Sequence, residues 1–116
     1  MSSEAKVLKR AKETCKALGL RPIRMTMGPG VEVGWPDLFI LGPNRHLLGM
    51  ETKRAGKEPT AMQMERGKTM CAYGFAWCKV NRVEDVDFTL VNFARHCLGE
   101  PPLSRDQVSV LNLRMQ

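Results

Sequence analysis

GWPDLFILGPNRHLLGMETKR, from Gly34 to Arg54, decides the fold. It opens on a Gly-x-Pro-Asp turn at Gly34–Asp37 and holds two apolar runs, DLFIL and LLGMETK, separated by the turn GPNRH. Two short apolar runs joined by a Gly/Pro/Asn turn read as a β-hairpin. DLFIL is continuous enough to predict a strand buried on both faces. Side chains alternate along a strand, so Glu51 and Lys53 share one face of the second run. Pairing through the turn brings Asp37 to the same end of the sheet. An unpaired buried carboxylate is costly. These charges therefore mark strand ends, form a cross-strand ion-paired edge, or build a site.

Outward from the hairpin, the periodicity predicts a helix over Ser3–Leu18, with Val7, Leu8, Ala11, Cys15 and Leu18 on one face. Gly19 closes it as the residue after the C-cap. IRMTM, residues 23–27, predicts a strand, and GPGVEVGWP a loop. Thr60 and Gln63 match a capping box that opens a helix ending near Tyr73–Gly74. FAWCKV predicts a further strand with Trp77 in the core. Residues 83–97 predict a helix with Val83, Val86, Leu90, Phe93 and Cys97 on one face and acids in its first turn. Gly99, Pro101 and Pro102 stop it, and VSVLNLRMQ is a candidate last strand. The order α-β-β-β-α-β-α, with a helix between two strands, predicts an α/β fold: a mixed central β-sheet flanked by helices.

The 116 residues suffice for one domain over residues 1–116, with a core at about 4–98 and a tail at 99–116. Hydrophobic content of 43% and charged content of 26% are those of an ordinary globular protein. No apolar run approaches the roughly 20 residues of a membrane helix, and the polar N-terminus has no signal-peptide core. A cytoplasmic, non-secreted protein is expected. A net charge of +6 favours a polyanionic partner, nucleic acid first. The four cysteines show no CxxC spacing and read as reduced, buried thiols. A zinc site from Cys71, Cys78, His96 and Cys97 fits no usual ligand spacing.

Asp37 and Glu51 converging at one sheet end would make a hard-oxygen site suited to Mg²⁺ or Mn²⁺, and a neighbouring Lys53 could orient a water or a phosphate. Glu4 lies within the apolar stripe of the first helix and Glu13 on the opposite face. Glu4 either joins the site or complements the helix N-terminus.

Gly34-Trp35-Pro36-Asp37, then Glu51-Thr52-Lys53, then Gln63 on a helix resembles the PD-(D/E)XK nuclease pattern. More narrowly it resembles the VRR-NUC (virus-type replication-repair nuclease) domain, over about residues 4–98. The resemblance implies a restriction-endonuclease-like core with Asp37, Glu51 and the backbone carbonyl of Thr52 as metal ligands. It further implies Lys53 as the catalytic lysine, Gln63 pointing into the site, and Glu4 as the first-helix acid. It implies a Mg²⁺- or Mn²⁺-dependent endonuclease that leaves 5′-phosphates, related to Holliday-junction resolvases: a homodimer acting on branched DNA, of phage or viral type. A DNase of other specificity and a non-catalytic DNA-binding module are the alternatives. The tail over Val108–Met115 is a candidate dimer interface.

Among the remaining residues, Arg54 and Lys57, just past the second strand, are candidate phosphate contacts. Lys6, Lys9, Arg10, Lys12 and Lys16 read as a mostly solvated face. Gln63 is open between cap and site, and Trp35 between stacking on DNA and packing under its loop. Gly67 is open between close packing and surface tolerance. Arg24 and Arg45 carry no assignment, and His46 and His96 read as isolated.

Overall fold

A computed structural model describes residues 3–26, 28–30, 32–111 and 113. The elements are α1 (Ser3–Leu18), β1 (Arg21–Arg24), β2 (Leu38–Gly42), β3 (His46–Thr52), α2 (Ala61–Ala72), β4 (Ala76–Val80), α3 (Val83–Cys97) and α4 (Arg105–Ser109). The strands form one sheet in the order β1-β2-β3-β4. β1–β2 and β2–β3 are antiparallel, and β3–β4 is parallel across the α2 crossover. This is the mixed sheet flanked by helices that the sequence predicts. Among the described residues no helix is long and apolar enough to cross a membrane.

The hairpin register sets Leu38 opposite Met50 and Ile40 opposite Leu48. These four side chains are buried together with Val80 and with Val7, Ala11 and Cys15 of α1 and Val86, Leu90 and Phe93 of α3. One face of the sheet thus carries α1 and α3. The alternate residues face α2, which lies close because two glycines leave room. A Cβ on Gly49 would stand 2.7 Å from Met70 Sδ, and one on Gly67 would stand 2.5 Å from the Trp77 ring. Close packing is therefore the role of Gly67, and Trp77 is half-buried beneath it.

Four expectations are corrected. DLFIL is not buried on both faces: Leu38 and Ile40 are buried, but Leu41 is 44% exposed, because α2 packs over β3 and β4 and leaves the β2 side of its face open. The first strand is Arg21–Arg24 rather than residues 23–27, since Arg21 pairs with Leu41 and Arg24 with Leu38. Met27 lies outside the described residues. The tail forms no strand at Val108–Ser109, which belong to α4, a short helix started by a Ser104–Gln107 capping box. Val108 and Leu113 pack against Val91, so these apolar residues are used within the chain. Residues 112 and 114–116 lie outside the described residues.

The fourth correction concerns Arg10, which does not belong to a solvated face. Its Nε donates to Asp87 Oδ1 at 3.0 Å and its Nη2 to Asp87 Oδ2, while Thr14 Oγ1 donates to Asp87 Oδ1 at 2.6 Å. The Arg10 and Asp87 side chains are only 13% and 19% exposed, so this pair ties α1 to α3 largely out of water. Asp87→Ala strands the Arg10 charge and is expected to cost about 3 kcal/mol, read from urea midpoints. Replacing both partners with Leu and Met should recover most of that loss, and an additive double mutant would contradict the coupling.

Candidate metal-binding and catalytic site

The loop before β2, the end of β3 and the start of α2 meet at one end of the sheet. Gly34 makes the meeting possible: its φ is +92°, and a Cβ there would lie 2.4 Å from Met62 Cγ and 3.1 Å from the Met62 backbone. Arg66 of α2 pins the same loop. Its guanidinium lies 5.1 Å from the Trp35 ring centroid, its Nε donates to the Val33 carbonyl at 3.0 Å, and its Nη2 pairs with Glu32 at 3.0 Å. Trp35 is thus packed by Arg66 while still lining the cavity beside it.

That cavity, about 550 Å³, is lined by Glu4, Arg24, Met25, Thr26, Gly34, Trp35, Asp37, Glu51, Lys53 and Gln63. It brings together five of the candidate site residues. Thr52 lines the adjoining cavity instead. Arg54 and Lys57 are exposed on the loop after β3 and line neither cavity. Glu13 is exposed elsewhere on α1, so Glu4 is the first-helix acid that reaches the cavity.

The Asp37 carboxylate is held by Thr52. The Thr52 N–H donates to Asp37 Oδ1 at 3.0 Å, and the Thr52 hydroxyl donates to Oδ2. The Asp37 carbonyl accepts from Met25 N–H at 2.9 Å, which carries the β1–β2 pairing past Arg24. The Thr52 side chain, 1% exposed, is a partner that sequence reasoning missed. A threonine in a strand is ordinary, and only the hairpin register places its hydroxyl on Asp37.

Glu51 is 4% exposed. Its Oε1 accepts from Gln63 Nε2 at 3.1 Å, and its Oε2 is buried with no hydrogen-bond partner. Gln63 performs two tasks. Its Oε1 accepts from the Thr60 N–H at 2.8 Å, closing the capping box, and its amide nitrogen fixes Glu51. Burial pushes the Glu51 carboxyl up to about 7; the neighbouring Asp37 adds to the rise, Lys53 opposes it and Glu4 adds further. The cross-strand neighbour of Glu51 is Lys79, whose Nζ instead pairs with Glu58 at 2.9 Å. Glu51 forms no ion pair within 4.0 Å among the described residues, so it is not part of an ion-paired edge.

An orphaned buried carboxylate oxygen beside a second carboxylate fits a hard divalent cation. Among the described residues no three His, Cys, Asp or Glu side chains gather as a metal-binding group. Glu4 therefore lines the cavity without joining Asp37 and Glu51 in one cluster, and the Cys71, Cys78, His96 and Cys97 set does not assemble. A Mg²⁺-type ion needs only one or two carboxylates and completes its shell with water. The cysteines are free, and burial pushes Cys15 and Cys78 up to about 12, which makes these two inert thiols. His46 and His96 are not isolated: their rings meet edge to face at 5.0 Å.

Fold and site define the class: a mixed sheet flanked by helices, with a PD-(D/E)XK-like core. By sequence, no family model and no curated protein matches the chain. Among solved structures, one described as a VRR_NUC domain is 26% identical, with a TM-score of 0.67, over 78% of this chain and 96% of that one. A second, described as a VRR_NUC domain protein, is 16% identical with a TM-score of 0.62, over 80% and 88%. The chain thus shares the fold of these VRR-NUC domain structures over most of its length.

Proposed function

We propose that this nuclease domain is a Mg²⁺- or Mn²⁺-dependent endodeoxyribonuclease acting on branched DNA. The observation that carries the reading is the buried, unsatisfied Glu51 Oε2 in one cavity with Asp37 and Lys53. Asp37 and Glu51 would hold the ion, with the Thr52 carbonyl as a further oxygen ligand. When bound, the ion would supply a water of lowered pKa and would offset charge on the scissile phosphate. Thr52 holds the Asp37 carboxylate, and Gln63 holds that of Glu51. Lys53, the residue after β3, lines the same cavity as Glu51 and would orient the attacking water. Attack at phosphorus breaks the P–O3′ bond; O3′ takes up a proton, leaving a 5′-phosphate and a 3′-hydroxyl. The net charge of +6 draws in the DNA backbone.

A symmetric dimer would offer two such centres to a junction. Val110 and Leu111 of the tail remain 80% and 41% exposed and are available to it.

The substrate is tested with labelled four-way junctions, flaps and linear duplex in Mg²⁺, Mn²⁺ or EDTA. Metal-dependent cuts that favour the junction, from a particle of two chains by light scattering, are expected. Equal cutting of all substrates would replace junction resolution with general DNase activity. Binding without cutting under any metal would favour the non-catalytic module.

A further inference from the structure

This inference deepens the nuclease reading above and rests on it. A second cavity of about 350 Å³ adjoins the first and is lined by Glu4, Ala5, Leu8, Arg24, Asp37 and Thr52. Glu4, Arg24 and Asp37 line both cavities and so form the wall they share. Arg24 ends β1, exposed, and stands opposite Leu38, next in the chain to Asp37.

Most arginines near acids in this chain are committed. Arg10 pairs with Asp87, Arg66 with Glu32, Arg82 and Arg105 with Asp85, and Arg95 with Glu100. Arg24 makes no ion pair or side-chain hydrogen bond among the described residues, although three carboxylates line its cavity. With Lys53 it is one of two cations there. A guanidinium held at a carboxylate site yet bonded to none of its acids is free to take an oxyanion. Its planar fork suits a phosphate diester in a way an ammonium does not.

We propose that Arg24 binds the DNA backbone phosphate adjoining the scissile one, so that the cut strand passes over Asp37 from the first cavity into the second. Arg24 is exposed and makes no ion pair or side-chain hydrogen bond among the described residues, so its removal is expected to leave stability near the wild-type value. The effect is confined to DNA.

The test is binding of a labelled four-way junction by the full chain in EDTA, across salt concentration, with cleavage in Mg²⁺ measured alongside. Arg24→Ala is expected to weaken binding roughly tenfold and to lower the salt slope by about one. Arg24→Lys should restore the slope but not the full cleavage rate. Arg21→Ala, an exposed arginine at the other end of β1 outside both cavities, should change neither. Wild-type affinity and slope in Arg24→Ala, or an equal loss in Arg21→Ala, would overturn the assignment alone. A wild-type chain that binds and cuts no DNA would overturn the nuclease reading and this proposal with it.

Discussion

Asp37→Asn is expected to lower single-turnover DNA cleavage by about 10³-fold while leaving the melting temperature and DNA affinity at wild-type values. The substitution is nearly isosteric. An asparagine oxygen still accepts from the Thr52 N–H, and its amide can face the Thr52 hydroxyl, so the contacts between the loop and β3 survive. What disappears is one negative charge at the cavity, and with it half of the proposed side-chain ligand set. A structural role predicts the opposite pattern, in which stability falls and activity follows it. Measuring melting and cleavage on the same preparation separates the two.

Glu51→Gln is expected to stabilise the metal-free protein at pH 8, on the order of 3 kcal/mol or roughly 10 °C in melting temperature. The folded chain holds the Glu51 carboxyl at about 7, well above its usual value, chiefly because it is buried. Between the ordinary value and about 7 the folded state therefore binds more protons than the unfolded state. Stability falls as pH rises through that window, and the full penalty is present above it. Glutamine carries no charge and removes the penalty, so in EDTA the variant gains at pH 8 and almost nothing at pH 5. Mn²⁺ should reverse the order, stabilising the wild type at pH 8 and not the variant. Equal pH profiles for the two proteins in EDTA would show that Glu51 is not desolvated in solution.

The elements that position the site were legible where one local rule dominates. The bounds of α1 followed from a single apolar stripe ended by Gly19, whose φ of +72° suits glycine. The hairpin followed from two apolar runs around one turn, and α2 from its capping box. Features set by register or by distant partners were not legible. The first strand moved because its pairing with Leu38–Leu41, rather than its own composition, fixes its ends. The tail looked like a strand because alternating apolar residues serve equally to pack a short helix onto Val91 and Phe88. Arg10 looked solvated because Asp87 lies 77 residues away. The Thr52 hydroxyl on Asp37 and the double exposure of Arg24 to both cavities likewise depend on how three strands align, which no single segment encodes. Gln63 was open between two roles because the cap and the Glu51 contact use different atoms of the same amide.

The most direct test of the central claim is Mn²⁺ binding at pH 8, followed by electron paramagnetic resonance, for wild type, Asp37→Asn and Glu51→Gln. Mn²⁺ bound by the wild type and lost in both variants is the expected result. Undiminished binding in the variants would contradict the assignment of Asp37 and Glu51 as the metal-holding pair.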